Sequence, residues 1–156
     1  MYEKFGEFDS FYEINTIAEK LKKEKKIEDL YELASENGIA NIDVTLYLGN
    51  VTDVLLDVHS AGADKIEIEK NNYLKKKHYN NVNIEEIADF LKVKCYLDAM
   101  FAENVRRKGK SFYECIRILE GAYVLFQGKY KNVKITTEIL SRVAEDYYME
   151  YEEIQK

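Results

Sequence analysis

The sequence contains no proline and only two cysteines, Cys95 and Cys115, and two histidines, His59 and His78, among 156 residues. The histidines stand apart from each other and from cysteine, and neither an HExxH nor a CxxC pattern occurs, so we expect no metal site and no other cofactor. No pattern places a base beside a nucleophile, so we expect no catalytic residue and no enzymatic activity. Both cysteines lie in segments of helical periodicity, which is typical of buried thiols in a reducing compartment.

Long apolar runs are missing as well. No stretch approaches the roughly 18 uncharged apolar residues of a membrane-spanning helix. The first residues, Met1–Glu7, lack the basic and apolar regions of a secretory signal. We therefore expect a cytoplasmic protein that contacts no membrane. Because 46% of the residues are hydrophobic, the chain can build a core and is predicted to fold as one compact unit.

Apolar residues recur at helical spacing over most of the chain. This periodicity predicts an all-α fold, a compact bundle of about six helices whose short loops favour antiparallel neighbours. Four helix starts carry a side chain that can accept a hydrogen bond from a free backbone N–H group. The candidate caps are Ser10, Asn83, Ser111 and Thr136.

Two of the predicted helices are long. The third follows an apolar stripe over 44–58 and passes through Gly49-Asn50 as a weak point. The fourth runs from 84 to about 106 and is apolar on two sides, which is typical of the buried centre of a bundle. Truncation of Leu97 in this helix, or of Ile116 in the next one, is expected to destabilise the fold. The second apolar stripe of the fourth helix consists of Phe90, Val93, Leu97 and Phe101.

The segment between the third and fourth helices is ambiguous. Lys65–Glu69 alternates between polar and apolar residues like a strand, and Asn71-Asn72 offers a turn, so a small β-hairpin over 65–79 is one interpretation. A charged helix end followed by a linker is the other. The chain then divides into an N-terminal helical part (1–60), a linker or small hairpin (61–83) and a C-terminal helical part (84–156).

The net charge of −6 is unevenly distributed. Residues 1–60 carry 13 acidic and 6 basic side chains, whereas residues 84–134 carry 7 acidic and 10 basic ones. A general nucleic-acid binder would show a clear basic excess over the whole chain. The distribution instead indicates separate acidic and basic surfaces.

Four cations of the basic middle, Arg106, Arg107, Lys108 and Lys110, lie in the turn between the fourth and fifth predicted helices. Cations at this place complement the dipole of the preceding helix. Beside the free N–H groups of the next helix, they also form a candidate site for a phosphate or a carboxylate. The two interpretations are compatible, and both expect the cations on the surface.

The acidic, tyrosine-rich end of the chain provides a second candidate surface, formed by Glu145, Asp146 and Glu150. The neighbouring Tyr147 and Tyr148 are expected in the core with their hydroxyl groups at its rim. The carboxylates then form either an ordinary solvated helix face or a surface that meets a basic groove on a partner.

Several short motifs resemble the PcfK-like proteins of conjugative plasmids and phages. In the C-terminal part these motifs are Phe101-Ala102, Lys110-Ser111, Cys115-Ile116, Ile118-Leu119, Glu138, Val143-Ala144 and Tyr147-Tyr148. Further pieces are similar to a phage-borne group of this family, whose members are anti-CRISPR inhibitors of the type II effector nuclease. These pieces are Phe5–Ser10, Glu36–Ile39 and Asp43 with Tyr47. The resemblance covers about 1–50 and 84–156, and residues 51–83 depart from it.

The resemblance implies a non-catalytic protein in the cytoplasm of a bacterial host. Such a protein would bind a CRISPR effector nuclease or its guide-RNA complex and block DNA binding or cleavage, with the 106–110 turn touching guide RNA or an acidic patch. The alternative is an accessory protein of plasmid or phage DNA handling that binds nucleic acid or a transfer protein through this turn. One exposed apolar face would also suffice to form a homodimer.

Overall fold

Polar side chains start the helices where the sequence predicts them. Ser10, Ser111 and Thr136 each accept a hydrogen bond from the backbone N–H group three residues later. Asn83 does the same with the N–H group of Glu86. These bonds satisfy donors that would otherwise lack a partner at the helix ends, and all four predicted caps are confirmed.

The computed structural model describes residues 1–76, 79–131 and 134–150, which form an all-helical bundle. No strand occurs in this part of the chain, so the predicted all-α class is confirmed. The eight helices found in it, two more than predicted, are α1 (Phe11–Lys23), α2 (Ile27–Glu36), α3 (Asn41–Leu48), α4 (Val58–Leu74), α5 (Ile84–Leu97), α6 (Ala99–Arg106), α7 (Phe112–Lys129) and α8 (Thr137–Met149).

Both long predicted helices are interrupted, so the prediction of continuous helices is wrong. α3 ends at Leu48, Asn50 adopts a left-handed φ of 59°, and an irregular segment precedes α4. The fourth predicted helix divides at Asp98, whose backbone is extended and whose side chain accepts a hydrogen bond from the Phe101 N–H group. The local side-chain bond offers the backbone an alternative to continuing the helix.

α4 occupies most of the segment that was ambiguous in the sequence. Its helical residues include Lys65–Glu69, so the predicted hairpin over 65–79 is wrong for the described residues, and residues 77 and 78 lie outside them. The helix packs against α5, α6 and α7. It buries Lys65, Glu69 and Lys70 together with apolar residues, which is why no clean apolar stripe marks it in the sequence.

The backbones of α4 and α6 come close together at Gly62. A Cβ atom at this position would lie 2.8 Å from the carbonyl oxygen of Ala102 and 2.9 Å from its Cα atom. Because only glycine leaves room for the backbone of the other helix, this contact fixes α6, and the turn that follows it, against α4.

The core consists of two hydrophobic clusters. One joins α1, α2 and α3 and includes Ile14, Leu30 and Val44; the other joins α4 to α8. The thiols of Cys95 and Cys115 are free and buried in the second cluster. Burial raises the pKa of each thiol to about 12, so both remain protonated at neutral pH and pack as small apolar groups.

Candidate functional site

A cleft of about 810 Å³ opens beside the turn that joins α6 to α7. We call it the turn cleft. It lies between the start of α1, the last turn of α6, residues 107–110 and the end of α8. Four of its lining residues are the cations Arg106, Arg107, Lys108 and Lys110, so the structure collects the predicted basic residues around one cavity.

The buried side chain of Lys65, in α4, binds the backbone of this turn. Its ammonium group donates hydrogen bonds to the carbonyl oxygens of Arg107 at 2.8 Å and Lys110 at 2.7 Å. It also lies 3.1 Å from a carboxylate oxygen of Glu7. Lys65 is completely buried, and desolvation lowers the pKa of its ammonium group. The cation therefore joins two carbonyl groups of the turn that follows α6 and holds them close together.

Glu69, one turn further along α4, anchors the beginning of α7. Its carboxylate accepts hydrogen bonds from the Phe112 N–H group at 2.9 Å and from the Tyr2 hydroxyl at 3.0 Å. Burial raises the pKa of Glu69, and burial together with the Glu69 charge raises the pKa of the Tyr2 hydroxyl. The two helices and the N-terminal segment thus meet in one buried polar cluster, which positions both ends of the turn.

Arg106 belongs to this buried cluster, and its predicted place on the surface is wrong. Its side chain is 1% exposed, and its Nη2 atom donates a hydrogen bond to the Oδ1 atom of Asn37. The Nε and Nη1 atoms of Arg106 are buried without a hydrogen-bond partner among the described residues, as is the hydroxyl of Tyr148. Buried polar groups without partners are rare in native proteins, and both residues line the turn cleft.

The other three cations lie further out. Arg107 and Lys108 are exposed, and the Lys108 N–H group donates a hydrogen bond to Asp9 at 3.0 Å. Lys110 is half-buried. Its ammonium group lies 4.7 Å from the centre of the Tyr147 ring and donates a hydrogen bond to the Tyr147 carbonyl oxygen at 2.9 Å. Lys110 therefore ties the turn to α8.

The structure separates the predicted acidic residues. Glu150 is exposed and lines the turn cleft, opposite in charge to the turn. Glu145 forms an ion pair of 3.2 Å with Lys94 and lines a different cleft between α5 and α8. Asp146 is exposed. The structure therefore brings only Glu150 of this set to the basic turn.

A second candidate surface is not apparent from the sequence. Val93 and Leu97 belong to a stripe predicted in the core, but their exposed fractions are 56% and 78%, and the nearby Tyr96 and Met100 are 56% and 58% exposed. We call these four residues the apolar face. Phe101, from the same predicted stripe, is buried, and the break at Asp98 separates it from the others. Asp98 is a residue type that commonly caps the start of a helix, and this feature of the sequence could have revealed the break.

Acidic residues mark both ends of the apolar face. Asp89 precedes Val93 by one helical turn on α5, and Glu103 follows Met100 by three residues on α6. Both acids are exposed. An exposed acid therefore lies near each end of the apolar face, and Asp89 also pairs with Lys92 at 3.5 Å. Four large exposed apolar residues this close in sequence differ from the scattered single apolar residues that every protein surface carries.

The two histidines were the remaining candidates for a metal or catalytic site. The Nδ1 atom of half-buried His59 lies 2.9 Å from the carbonyl oxygen of Cys95, and this contact connects α4 to the end of α5. His78 lies outside the described residues. Within residues 1–76, 79–131 and 134–150, no group of three or more His, Cys, Asp or Glu side chains could hold a metal ion.

None of the helices in the described chain is both long enough and apolar enough to span a bilayer. Comparison of the chain with protein-family models, with curated proteins and with solved structures found no match. The resemblance to PcfK-like proteins therefore stays a prediction.

Proposed function

We propose that this chain is a non-catalytic inhibitor that binds an RNA-guided type II Cas nuclease stoichiometrically through the apolar face. The observation that carries the proposal is the exposure of Val93, Tyr96, Leu97 and Met100 together on the α5–α6 segment. Four large apolar side chains exposed close together in the sequence are typical of a protein-binding surface, because leaving them in water is unfavourable.

The charge around this face fits a basic partner. Asp89 and Glu103 border it, and the whole chain has a net charge of −6. An RNA-guided nuclease holds its guide–target heteroduplex in a positively charged channel. A small acidic protein that enters this channel would compete with the nucleic acid for the same cations. The motifs that resemble PcfK-like proteins support the same assignment.

A second function is favoured by the basic turn. Arg107 and Lys108 are exposed beside a cleft, and exposed cations of this kind bind the phosphate backbone of nucleic acids. The chain would then be an accessory protein of plasmid or phage DNA handling. This function predicts that the chain binds free DNA or RNA, with an affinity that falls steeply as the salt concentration rises. The inhibitor function predicts that it binds only the nuclease–guide complex.

The decisive experiment measures target-DNA cleavage by a panel of type II nuclease–guide complexes while the protein is titrated in. For the complex it targets, inhibition should be complete at about one protein per nuclease, with no turnover. The double variant Leu97→Asp/Met100→Asp should abolish inhibition, because it places two charges on a surface that must lose water on docking. Its thermal unfolding midpoint should stay close to that of the wild type, since both side chains are exposed.

The chain offers a matched control on another helix. Val124 and Leu125 of α7 are 62% and 76% exposed, so Val124→Asp/Leu125→Asp makes the same chemical change elsewhere and should still inhibit. Full inhibition by the Leu97/Met100 variant would exclude the apolar face as the inhibitory surface. Inhibition of none of the nucleases, with salt-sensitive binding of free DNA, would favour the accessory function. Light scattering of both variants tests whether the apolar face is instead covered by a second copy of the chain.

A further inference from the structure

We infer that two copies of this chain associate through the second half of α7, packed antiparallel about a two-fold axis that passes between Val124 and Leu125. The outer side of this half is formed by Gly121, Val124, Leu125 and Gly128, and we call it the α7 face. It lies on a different helix from the apolar face, and the inference does not depend on the function proposed above.

The second half of α7 exposes apolar side chains that its first half would bury. The four buried residues of α7 end with Leu119. Beyond it, Val124 and Leu125 are 62% and 76% exposed, whereas Tyr123 and Phe126, which continue the side of Leu119, are half-buried. Positions 121, 124, 125 and 128 recur at the spacing of a single helix face, and all four are exposed. This half therefore presents large apolar side chains to water on the side opposite Leu119.

Two glycines lie on the α7 face. Glycine inside a helix lowers its stability relative to alanine, and it is typical of places where another backbone comes close, as at Gly62. At Gly121 and Gly128, by contrast, an added Cβ atom would meet nothing within 4 Å among the described residues. The packing of a single copy therefore gives no reason for either glycine, whereas a second helix packed on this face gives a reason for both.

The pattern of the α7 face is the same in both directions along the helix. Gly121 precedes Val124 by three residues, and Gly128 follows Leu125 by three. In an antiparallel pair with its axis at the midpoint, Gly121 of one copy faces Gly128 of the other at both ends of the contact. The valines and leucines of the two copies then fill the centre. A two-fold dimer requires such a self-complementary surface, so the pattern favours a second copy over an unrelated partner.

The charges beside the α7 face favour the antiparallel orientation. Glu120 lies at its beginning and accepts hydrogen bonds from the neutral N–H groups of Asn81, which leave its charge uncompensated. Lys129 and Lys131 are exposed at its end, and Arg117 pairs with a carboxylate of its own helix. Antiparallel packing brings the acidic end of one copy to the basic end of the other, whereas parallel packing brings the lysines of both copies together.

The small size of the contact sets the expected strength. Residues 120–129 span roughly 15 Å at 1.5 Å per residue. Stable interfaces bury roughly 1,200 Å² or more in total, and one pair of such short helix segments lies at or below this size. The dimer should therefore form reversibly, at protein concentrations of roughly 10–100 μM.

Sedimentation equilibrium of the intact protein over the micromolar range should show monomer and dimer in exchange. Val124→Asp/Leu125→Asp, the control variant of the cleavage assay, should weaken association at least about tenfold, because it places charges in the contact. Leu97→Asp/Met100→Asp should associate like the wild type. A monomer at every concentration, or association lost only in the Leu97/Met100 variant, would overturn the inference.

The variant Gly121→Ala/Gly128→Ala separates the dimer contact from the stability of the helix. At low concentration, where the protein is monomeric, alanine should raise the thermal unfolding midpoint through its helix propensity. At high concentration the added methyl groups should hold the two helices apart and weaken association about tenfold. Association as strong as in the wild type would show that the backbones do not meet at the glycines, and it would refute this packing.

Cysteine cross-linking locates the axis. Leu125→Cys lies beside it, so mild oxidation should join the two copies through a disulfide. Arg117→Cys lies on the same side of the helix, but roughly 22 Å along the helices separates it from its counterpart in the other copy, and it should not cross-link. The wild type gives the background, because Cys95 and Cys115 are buried. Equal cross-linking of the two variants, or cross-linking of neither, would contradict the antiparallel dimer.

Discussion

At the scale of single residues, the most consequential group is the ammonium ion of Lys65. It lies in the interior and is surrounded by the carbonyl oxygens of Arg107 and Lys110 and by the carboxylate of Glu7. A buried cation is tolerated only when its hydrogen bonds are made. Lys65 therefore fixes the backbone of the turn in which the exposed side chains of Arg107 and Lys108 lie.

Burial also decides how two apolar residues respond to truncation. Ile116 is 1% exposed, whereas Leu97 is 78% exposed. Ile116→Ala should lower the free energy of unfolding by about 2–5 kcal/mol, because it leaves a cavity. Leu97→Ala should change it by less than about 0.5 kcal/mol, contrary to the expectation from sequence. Urea denaturation of the two variants measures both values, and equal losses would show that Leu97 is buried in solution.

At the scale of helices, the sequence was informative where the local signal is strong. Ser10, Asn83, Ser111 and Thr136 identified helix starts because a cap is a local hydrogen bond between near neighbours. The break at Asp98 was missed, since apolar spacing continued across it. α4 was missed because its buried Lys65, Glu69 and Lys70 are compensated by residues distant in the chain, and such pairing leaves no periodic pattern.

The candidate site was predictable only in part, for a related reason. The cations at 106–110 were found as a charge cluster, but the burial of Arg106 depends on Asn37 and on the packing of α4 against α6. Phe11 and Tyr12, which also line the turn cleft, come from the other end of the chain. Contacts between distant segments require the tertiary fold, which one sequence without its relatives does not provide.

The close contact of α4 with α6 can be tested by substituting Gly62, with Gly121 as a control. Gly62→Ala should destabilise the protein by about 1–3 kcal/mol, because the new Cβ atom would meet the backbone of Ala102. Gly121→Ala in α7, where a Cβ atom meets nothing within 4 Å, should stabilise it by about 0.5–1 kcal/mol through helix propensity. Thermal or urea unfolding measures both, and stabilisation by Gly62→Ala would show that the helices lie further apart.

At the scale of the whole molecule, the two candidate surfaces differ in their nearest exposed charges, which are Asp89 and Glu103 at the apolar face and Arg107 and Lys108 in the turn. The acid-bordered apolar face lies on the α5–α6 segment, and the basic turn follows the end of α6. A single partner with a uniform charge would be attracted by one surface and repelled by the other. A complex of protein and RNA carries both positive and negative charges, so it can attract both surfaces at once.

This arrangement predicts how the inhibitor should associate with its nuclease. Asp89 and Glu103 are exposed at the border of the apolar face, where charges act mainly on the rate of encounter with a basic surface. Asp89→Asn/Glu103→Gln should therefore lower the association rate constant several-fold at about 50 mM salt. It should change the dissociation rate constant less, and it should weaken the dependence of association on salt, because screening shortens the range of these charges.

The control for this prediction removes the same charge from another part of the molecule. Glu3 and Glu28 are exposed in the N-terminal segment and in the first turn of α2, so Glu3→Gln/Glu28→Gln tests the effect of net charge alone. Surface plasmon resonance with the immobilised nuclease–guide complex measures all the rate constants. If the two double variants slow association equally, net charge drives the encounter and the border of the apolar face has no special role. If only Asp89→Asn/Glu103→Gln slows it, the encounter is directed by this face, and the short-range contacts of Leu97 and Met100 must then determine how long the complex lasts.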